Sequence, residues 1–321
     1  MLLFLLATLA GFALLIWGAD RLVLGAGALA RNLGIAPLLI GLTVVGFATS
    51  LPEVLVSATA ALAGATDLAI GNALGSNIAN VGLVLAVAAL TRPLRAHSET
   101  LQRELPVMLA ISVVPLLLFV DGRLSRLDGV LLAGALLGFT WWVTRLGMRT
   151  AGHDPIEAEY AAELPTGIAN RRALLLILLG LLAVLAGSKS LVWGAANLAR
   201  ALSVSETIIG VTMIAVGTSL PELAVSIVSA RKGEAGLALG NVIGSNAFNA
   251  LAVIGVAALV HPAPLDPRVV VFHLPVMLLF SLGFFFIAYN RDETLRVGRW
   301  AGASLLAGYL VYLGAVVAEL G

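Results

Sequence analysis

The chain has 321 residues, 60% of them hydrophobic and 12% charged, with a net charge of +1 and a mean hydropathy of +1.02. A soluble domain carries about 25% charged residues and could not hide this much apolar surface, so the composition predicts a polytopic α-helical membrane protein. The near-neutral charge gives no case for nucleic acid or another polyanion, and the absence of cysteine excludes disulfides, thiol catalysis and thiolate metal sites.

Residues Met1 to Trp17 carry no positive charge ahead of their apolar run. That is the wrong start for a secretory signal, so a retained first transmembrane helix is expected. Ten apolar spans follow in order: 2–24, 36–62, 68–90, 104–120, 127–147, 172–198, 205–230, 236–260, 269–289 and 297–319. They are long and unalternated, whereas an outer-membrane barrel shows alternating segments of about ten residues. One polar segment interrupts them, from Arg149 to Arg172, with His153, Asp154, Glu157, Glu159 and Glu163. The organisation expected is residues 1–148, a linker at 149–171, and residues 172–321.

The two halves are copies. Shifting the sequence by 169 residues aligns Gly18–Pro93 with Gly187–Pro262 without a gap, and 35 of 76 positions are identical. Matched Gly, Pro, Asn, Ser and Glu in register are not what chance similarity between apolar helices gives. Short-loop Lys and Arg set the orientation. Thirteen lie on one side: Arg31, Arg92, Arg95, Arg103, Arg145, Arg149, Arg171, Arg172, Arg231, Lys232, Arg291, Arg296 and Arg299. Only Arg123, Arg126, Arg200 and Arg268 lie on the other. The rule places the larger set in the cytoplasm and both termini outside. Five spans per copy then force the halves to be inverted, an architecture of secondary transporters with broken helices at the midplane.

Gly46-Phe47-Ala48-Thr49-Ser50-Leu51-Pro52-Glu53 recurs as Ala215-Val216-Gly217-Thr218-Ser219-Leu220-Pro221-Glu222. Pro52 cannot donate to the carbonyl of Ala48, so the helix must bend or unwind and free backbone carbonyls at membrane depth. A charge there costs at least about 2.5–3.5 kcal/mol. Facing breaks would offer two carboxylates, free carbonyls and the hydroxyls of Thr49, Ser50, Thr218 and Ser219, with no nitrogen or sulfur ligand. An all-oxygen, doubly negative site suits a hard cation, and Ca²⁺ takes 6–8 oxygens. Two adjacent glutamates favour each other's protonation unless a cation intervenes, so metal, sodium or protons should occupy the site. The second motif, Gly71-Asn72-Ala73-Leu74-Gly75-Ser76-Asn77-Ile78-Ala79-Asn80, recurs at Gly240 through Asn249. Ser76 and Asn80 share a helix face, and the amides suit completion of the site better than contact with lipid. Taken alone, a proline kink with a buried glutamate has a purely structural reading; its duplication in register favours the functional one. Asp20 and Lys189 occupy matched positions and fit an ion pair or gate, or, by default, a solvated helix end. His97, His153, His261 and His273 fall in loops or at span ends and are expected at the solvated surface.

At these residues the sequence resembles the cation/calcium exchanger superfamily, and within it the prokaryotic sodium/calcium exchangers. Its signature repeats are matched by residues 37–90 and 206–259. The resemblance implies ten transmembrane helices in two inverted five-helix repeats and a Na⁺/Ca²⁺ antiporter of the cell (inner, plasma) membrane that works as a monomer, with no enzymatic activity and no cofactor. Glu53 and Glu222, with the carbonyls of Thr49 and Thr218, would be the Ca²⁺ ligands. Ser50, Ser76, Ser219 and Ser245, with the carbonyls of Gly46 and Ala215, would belong to flanking Na⁺ sites, and Asn80 and Asn249 would line the middle. Spans one and six would slide over the other eight. Asn249 stands where many relatives, including potassium-dependent ones, have aspartate. The proton/calcium branch typically has glutamate at both asparagine positions. Two carboxylates therefore favour sodium coupling, with a Ca²⁺ or Mn²⁺/H⁺ antiporter as the alternative and a cation channel as a third reading. An intramembrane hydrolase is disfavoured because Ser50 and Ser219 have no base at similar depth unless Lys189 serves.

Overall fold

Hydropathy sets the helices and proline sets their breaks. The computed structural model describes residues 1–33, 40–97, 99–150, 167–202, 215–289 and 294–320. The starts expected for the second and seventh spans, at 36–39 and 205–214, and most of the polar linker with His153, Asp154, Glu157, Glu159 and Glu163, lie outside them.

Helix α1 (Leu2–Leu33) is followed by a π-helical turn at Gly41–Val45, by α2 (Gly46–Thr49) and by α3 (Leu51–Leu62). Next, α4 (Thr66–Ala79) runs through a π-helical segment at Asn80–Leu85 into α5 (Ala86–Thr91). The first half closes with α6 (Glu99–Leu118) and α7 (Arg126–Thr150). The second half repeats the series. It contains α8 (Asn170–Ala201), α9 (Ala215–Thr218), α10 (Leu220–Lys232), α11 (Ala235–Phe248), a π segment at Asn249–Val253 and α12 (Ile254–Val260). It ends with α13 (Leu274–Ala288) and α14 (Arg299–Leu320).

Among the described residues eight helices are long and apolar enough to cross a membrane, and the pair Leu42–Thr49 and Leu51–Leu62, bent by 45°, makes a ninth span. The stretch Ala215–Lys232 is the described part of the tenth. The fold is thus the all-α polytopic one of two inverted five-helix repeats with broken helices. Two short antiparallel pairs tie the loops: β1 (Leu94–His97) with β4 (Thr294–Val297), and β2 (Arg123–Leu124) with β3 (Ala263–Pro264). Each joins a loop of one half to a loop of the other on one face, the grouping the charge count predicts.

The spans Thr66–Thr91 and Ala235–Val260 are 78% and 89% buried and the other six at most 39%, so these two form the centre. Hydrophobic packing falls into two bodies. The larger surrounds the central spans. The smaller joins Leu15, Leu22 and Val23 of α1 to Ala173, Ile177 and Val184 of α8 and to Ala224 and Val225 of α10.

Helices α1 and α8 run antiparallel, joined by glycines seven residues apart. A Cβ at Gly11, Gly18 or Gly25 would lie 2.5 Å from Leu191 N, 2.7 Å from Val184 N and 2.7 Å from Ala173 O. A Cβ at Gly180 or Gly187 would lie 2.5 Å from Leu22 N and 2.7 Å from Leu15 N. Small residues let membrane helices approach backbone to backbone, and the repeat supplies the same stripe to both. At 32 residues α1 is about 48 Å long, beyond the ~30 Å hydrocarbon core.

Two expectations need correction. Helix α1 continues nine residues past its expected end at 24, to Leu33, and Asp20 meets a partner, Lys232, whose Nζ lies 2.8 Å from its carboxylate. That partner is not the repeat-matched Lys189, and the Asp20 side chain keeps the partial solvent exposure expected by default. His273 is not at the solvated surface either; it is half-buried and its Nδ1 lies 3.0 Å from the Tyr312 hydroxyl. His261 lies in a loop as expected, with Nδ1 2.9 Å from Thr66 Oγ1.

Candidate ion-binding site

The two breaks have the same geometry. Ser50 has φ −83° and ψ 2°, and Ser219 φ −85° and ψ 2°. Each proline sits in the first turn of the helix that restarts after the break, where a missing N–H costs nothing. Glu53 and Glu222 fall in the same first turn, so the positive end of a half-helix dipole supports each carboxylate. Both glutamates are fully buried, and near enough for their carboxylates to interact.

Hydroxyls of both halves converge on each carboxylate. Ser50 Oγ donates to Glu222 Oε1 at 3.3 Å, and Ser245 Oγ to the same oxygen at 3.4 Å. Thr49 Oγ1 lies 3.4 Å from Ser245 Oγ and donates to Asn241 Oδ1 at 3.2 Å. Ser245 also donates to the Gly46 carbonyl at 3.3 Å. On the opposite side Thr218 Oγ1 and Ser76 Oγ lie 3.4 Å apart, beside Glu53. Ser219, Asn80 and Asn249 are buried but share no hydrogen bond with this group among the described residues. Ala215 opens the short helix before Ser219, where Gly46 stands before Ser50.

Each glutamate is held from behind by an asparagine. Asn72 Nδ2 donates to the Glu53 carbonyl at 3.3 Å and to Ser57 Oγ at 3.1 Å. Asn241 Nδ2 donates to the Glu222 carbonyl at 3.3 Å and to Ser226 Oγ at 3.0 Å. These asparagines tie the two motifs of a half together. Ser57 and Ser226 carry that tie, and sequence reasoning passed over them although they match in the repeat. Asn77 Nδ2 donates across the halves to the Asn246 carbonyl at 3.2 Å. The π segments begin at Asn80 and Asn249, the helix irregularity that often accompanies function.

Both carboxylate oxygens of Glu53, Oε2 of Glu222, Ser219 Oγ and the amide groups of Asn80 and Asn249 are buried without a hydrogen-bond partner among the described residues. Each such group costs about 1–3 kcal/mol. Orphaned, mostly oxygen donors around two carboxylates match the demands of a hard cation without a hydration shell.

The family model described as "Sodium/calcium exchanger protein" matches residues 3–145 and 172–318. The chain is 42% identical over 304 residues to the "Putative antiporter CaxA" of Alkalimonas amylolytica, covering 95% of each. It is 43% identical over 314 residues to the "Inner membrane protein YrbG" of Escherichia coli K12, covering 96% of each. Its fold superimposes with a TM-score of 0.83 on the solved sodium/calcium exchanger from Methanococcus jannaschii, at 33% identity and over 98% of both chains.

Proposed function

The chain belongs to the sodium/calcium exchanger family, and from that membership and its buried carboxylates we propose that it is a secondary active antiporter exchanging Na⁺ for Ca²⁺ by alternating access. What supports this most is the pair of fully buried glutamates, one from each inverted copy, with orphaned oxygens between the halves. In this reading Glu53 and Glu222, with the carbonyls of Thr49 and Thr218, take Ca²⁺. Ser50, Ser76, Ser219 and Ser245, with the carbonyls of Gly46 and Ala215, take Na⁺ beside it, and Asn80 and Asn249 line the middle. Calcium and sodium are cargo, and no cofactor or catalytic step is involved. The packing of α1 on α8, in a cluster apart from the larger core and shared mainly with α10, supports their sliding as a pair over the rest.

Repeats at 1–148 and 172–321, joined by a cytoplasmic linker at 149–171, would act as one monomer in the cell membrane, both termini outside. Neutral Asn80 and Asn249 leave two carboxylates, which suits one divalent cation in exchange for monovalent ones. The coupling ion is tested in proteoliposomes. Radiocalcium uptake driven by an outward sodium gradient, and unaffected by a pH gradient in sodium-free buffer, is expected. Uptake driven by the pH gradient alone would assign the protein to Ca²⁺/H⁺ or Mn²⁺/H⁺ exchange instead.

A further inference from the structure

Proline at 221 removes the N–H that would have bonded the Gly217 carbonyl, which is therefore freed four residues upstream. A side chain from outside the broken helix covers it: Ser188 Oγ, on α8, donates to Gly217 O at 2.8 Å. Ser188 is only 7% exposed. One turn further along the same face of α8, Val192 presses on the same residue, and a Cβ at Gly217 would lie 2.7 Å from Val192 Cγ2. Helix α8 thus grips the second break at one residue, by a hydrogen bond and by close packing.

Among the described residues the first half shows no such grip. Under the 169-residue shift Ser188 corresponds to Ala19 and Gly217 to Ala48. The hydroxyl is absent, and Ala48, whose carbonyl accepts a backbone N–H at the end of α2, carries a methyl group. A bond made in one half only, where the paired asparagine ties at Asn72 and Asn241 recur in both, is not required by the fold. The residue after Gly217 is Thr218, whose hydroxyl lies 3.4 Å from Ser76 and beside Glu53. Fixing the Gly217 carbonyl fixes the Gly217–Thr218 peptide, and with it the side of the site that faces Glu53.

We propose that Ser188 is a positioning residue: through Gly217 it holds Thr218 in register with α8, so that ion binding on the Glu53 side is coupled to the placement of the α1–α8 pair. The proposal rests on the cation-binding reading of Glu53 and Glu222. The test is equilibrium radiocalcium binding to the purified full-length protein in detergent, for wild type, Ser188→Ala, Ser188→Thr and Gly217→Ala. Losing one hydrogen bond predicts an apparent Kd raised about 2- to 10-fold in Ser188→Ala. Site occupancy at saturation and the yield of monodisperse protein should be unchanged. Ser188→Thr keeps the hydroxyl and should bind as wild type does. Gly217→Ala should weaken binding, and adding Val192→Ala should recover part of the loss. An unchanged Kd in Ser188→Ala, or a Ser188→Thr as impaired as Ser188→Ala, overturns the inference and leaves the functional reading intact. No calcium binding to wild type overturns the functional reading and the inference with it.

Discussion

The contact between Asp20 and Lys232 makes a side-specific prediction. Helix α1 packs closely along α10, with Ala224 and Val225 in its cluster, whereas the repeat-related α8 barely touches α3 among the described residues. In an inverted repeat, the opposite state exchanges these two relationships. The ion pair cannot be exchanged with them, because Lys189 stands in the place of Asp20 and Ala63 in the place of Lys232. The pair therefore stabilises only the state in which α1 closes against α10. With side chains 44% and 30% exposed it is worth no more than about 1 kcal/mol, or up to about fivefold in the balance of the two states. On the proposed orientation Lys232 is cytoplasmic. Asp20→Asn should therefore raise half-saturating Ca²⁺ at the outer face and lower it at the inner face. Transport assays in right-side-out and inside-out vesicles measure both, and Asp20→Lys with Lys232→Asp should restore the balance. Shifts in the same direction at both faces, or none, would refute the reasoning.

Four further outcomes are expected. Gly18→Ala drives a Cβ to within 2.7 Å of Val184 N and should cost about 1–3 kcal/mol in detergent unfolding. Gly138→Ala, on a helix with nothing within 4 Å, should shift stability by less than about 1 kcal/mol. Asn241→Leu removes the donor to the Glu222 carbonyl and Ser226; it should destabilise by about 1–3 kcal/mol and weaken calcium binding measured by isothermal titration. Calcium at a hundred times its Kd should stabilise the wild type by about 2.7 kcal/mol, and this gain, read as a rise in melting temperature, should vanish in Glu53→Gln.

Residues that break the apolar pattern were the most legible. Two glutamates in matched copies pointed to the candidate site, and the prolines located the breaks. Each bend falls at Ser50 or Ser219, two residues before the proline, because proline fits the first turn of a new helix and disrupts the turn before it. Partner choice was much less legible. The seven-residue spacing of Gly11, Gly18 and Gly25, repeated at Gly180, Gly187 and Gly194, is written in the sequence. A glycine stripe permits a close neighbour without naming it. Asp20 had several basic candidates, and only the fold selects Lys232. Ser188 had no repeat partner, so an argument built on matched positions passed over it. Its sequence signal was a hydroxyl beside Lys189 and Ser190 in a mostly apolar span. His273 sat at a span end, where Tyr312, reached only through tertiary packing, keeps it half-buried.

The central claim is that Glu53 and Glu222 form one site for the transported cations, so that neither half works alone. The direct measurement is radiocalcium uptake into sodium-loaded proteoliposomes when external sodium is removed, for the wild type, Glu53→Gln and Glu222→Gln. Removing one carboxylate from a buried ion pair costs roughly 3–5 kcal/mol, or a hundredfold and more in affinity. The account predicts sodium-dependent uptake in the wild type and its loss in each single variant. Uptake indifferent to the sodium gradient, or either variant at wild-type rates, would contradict it.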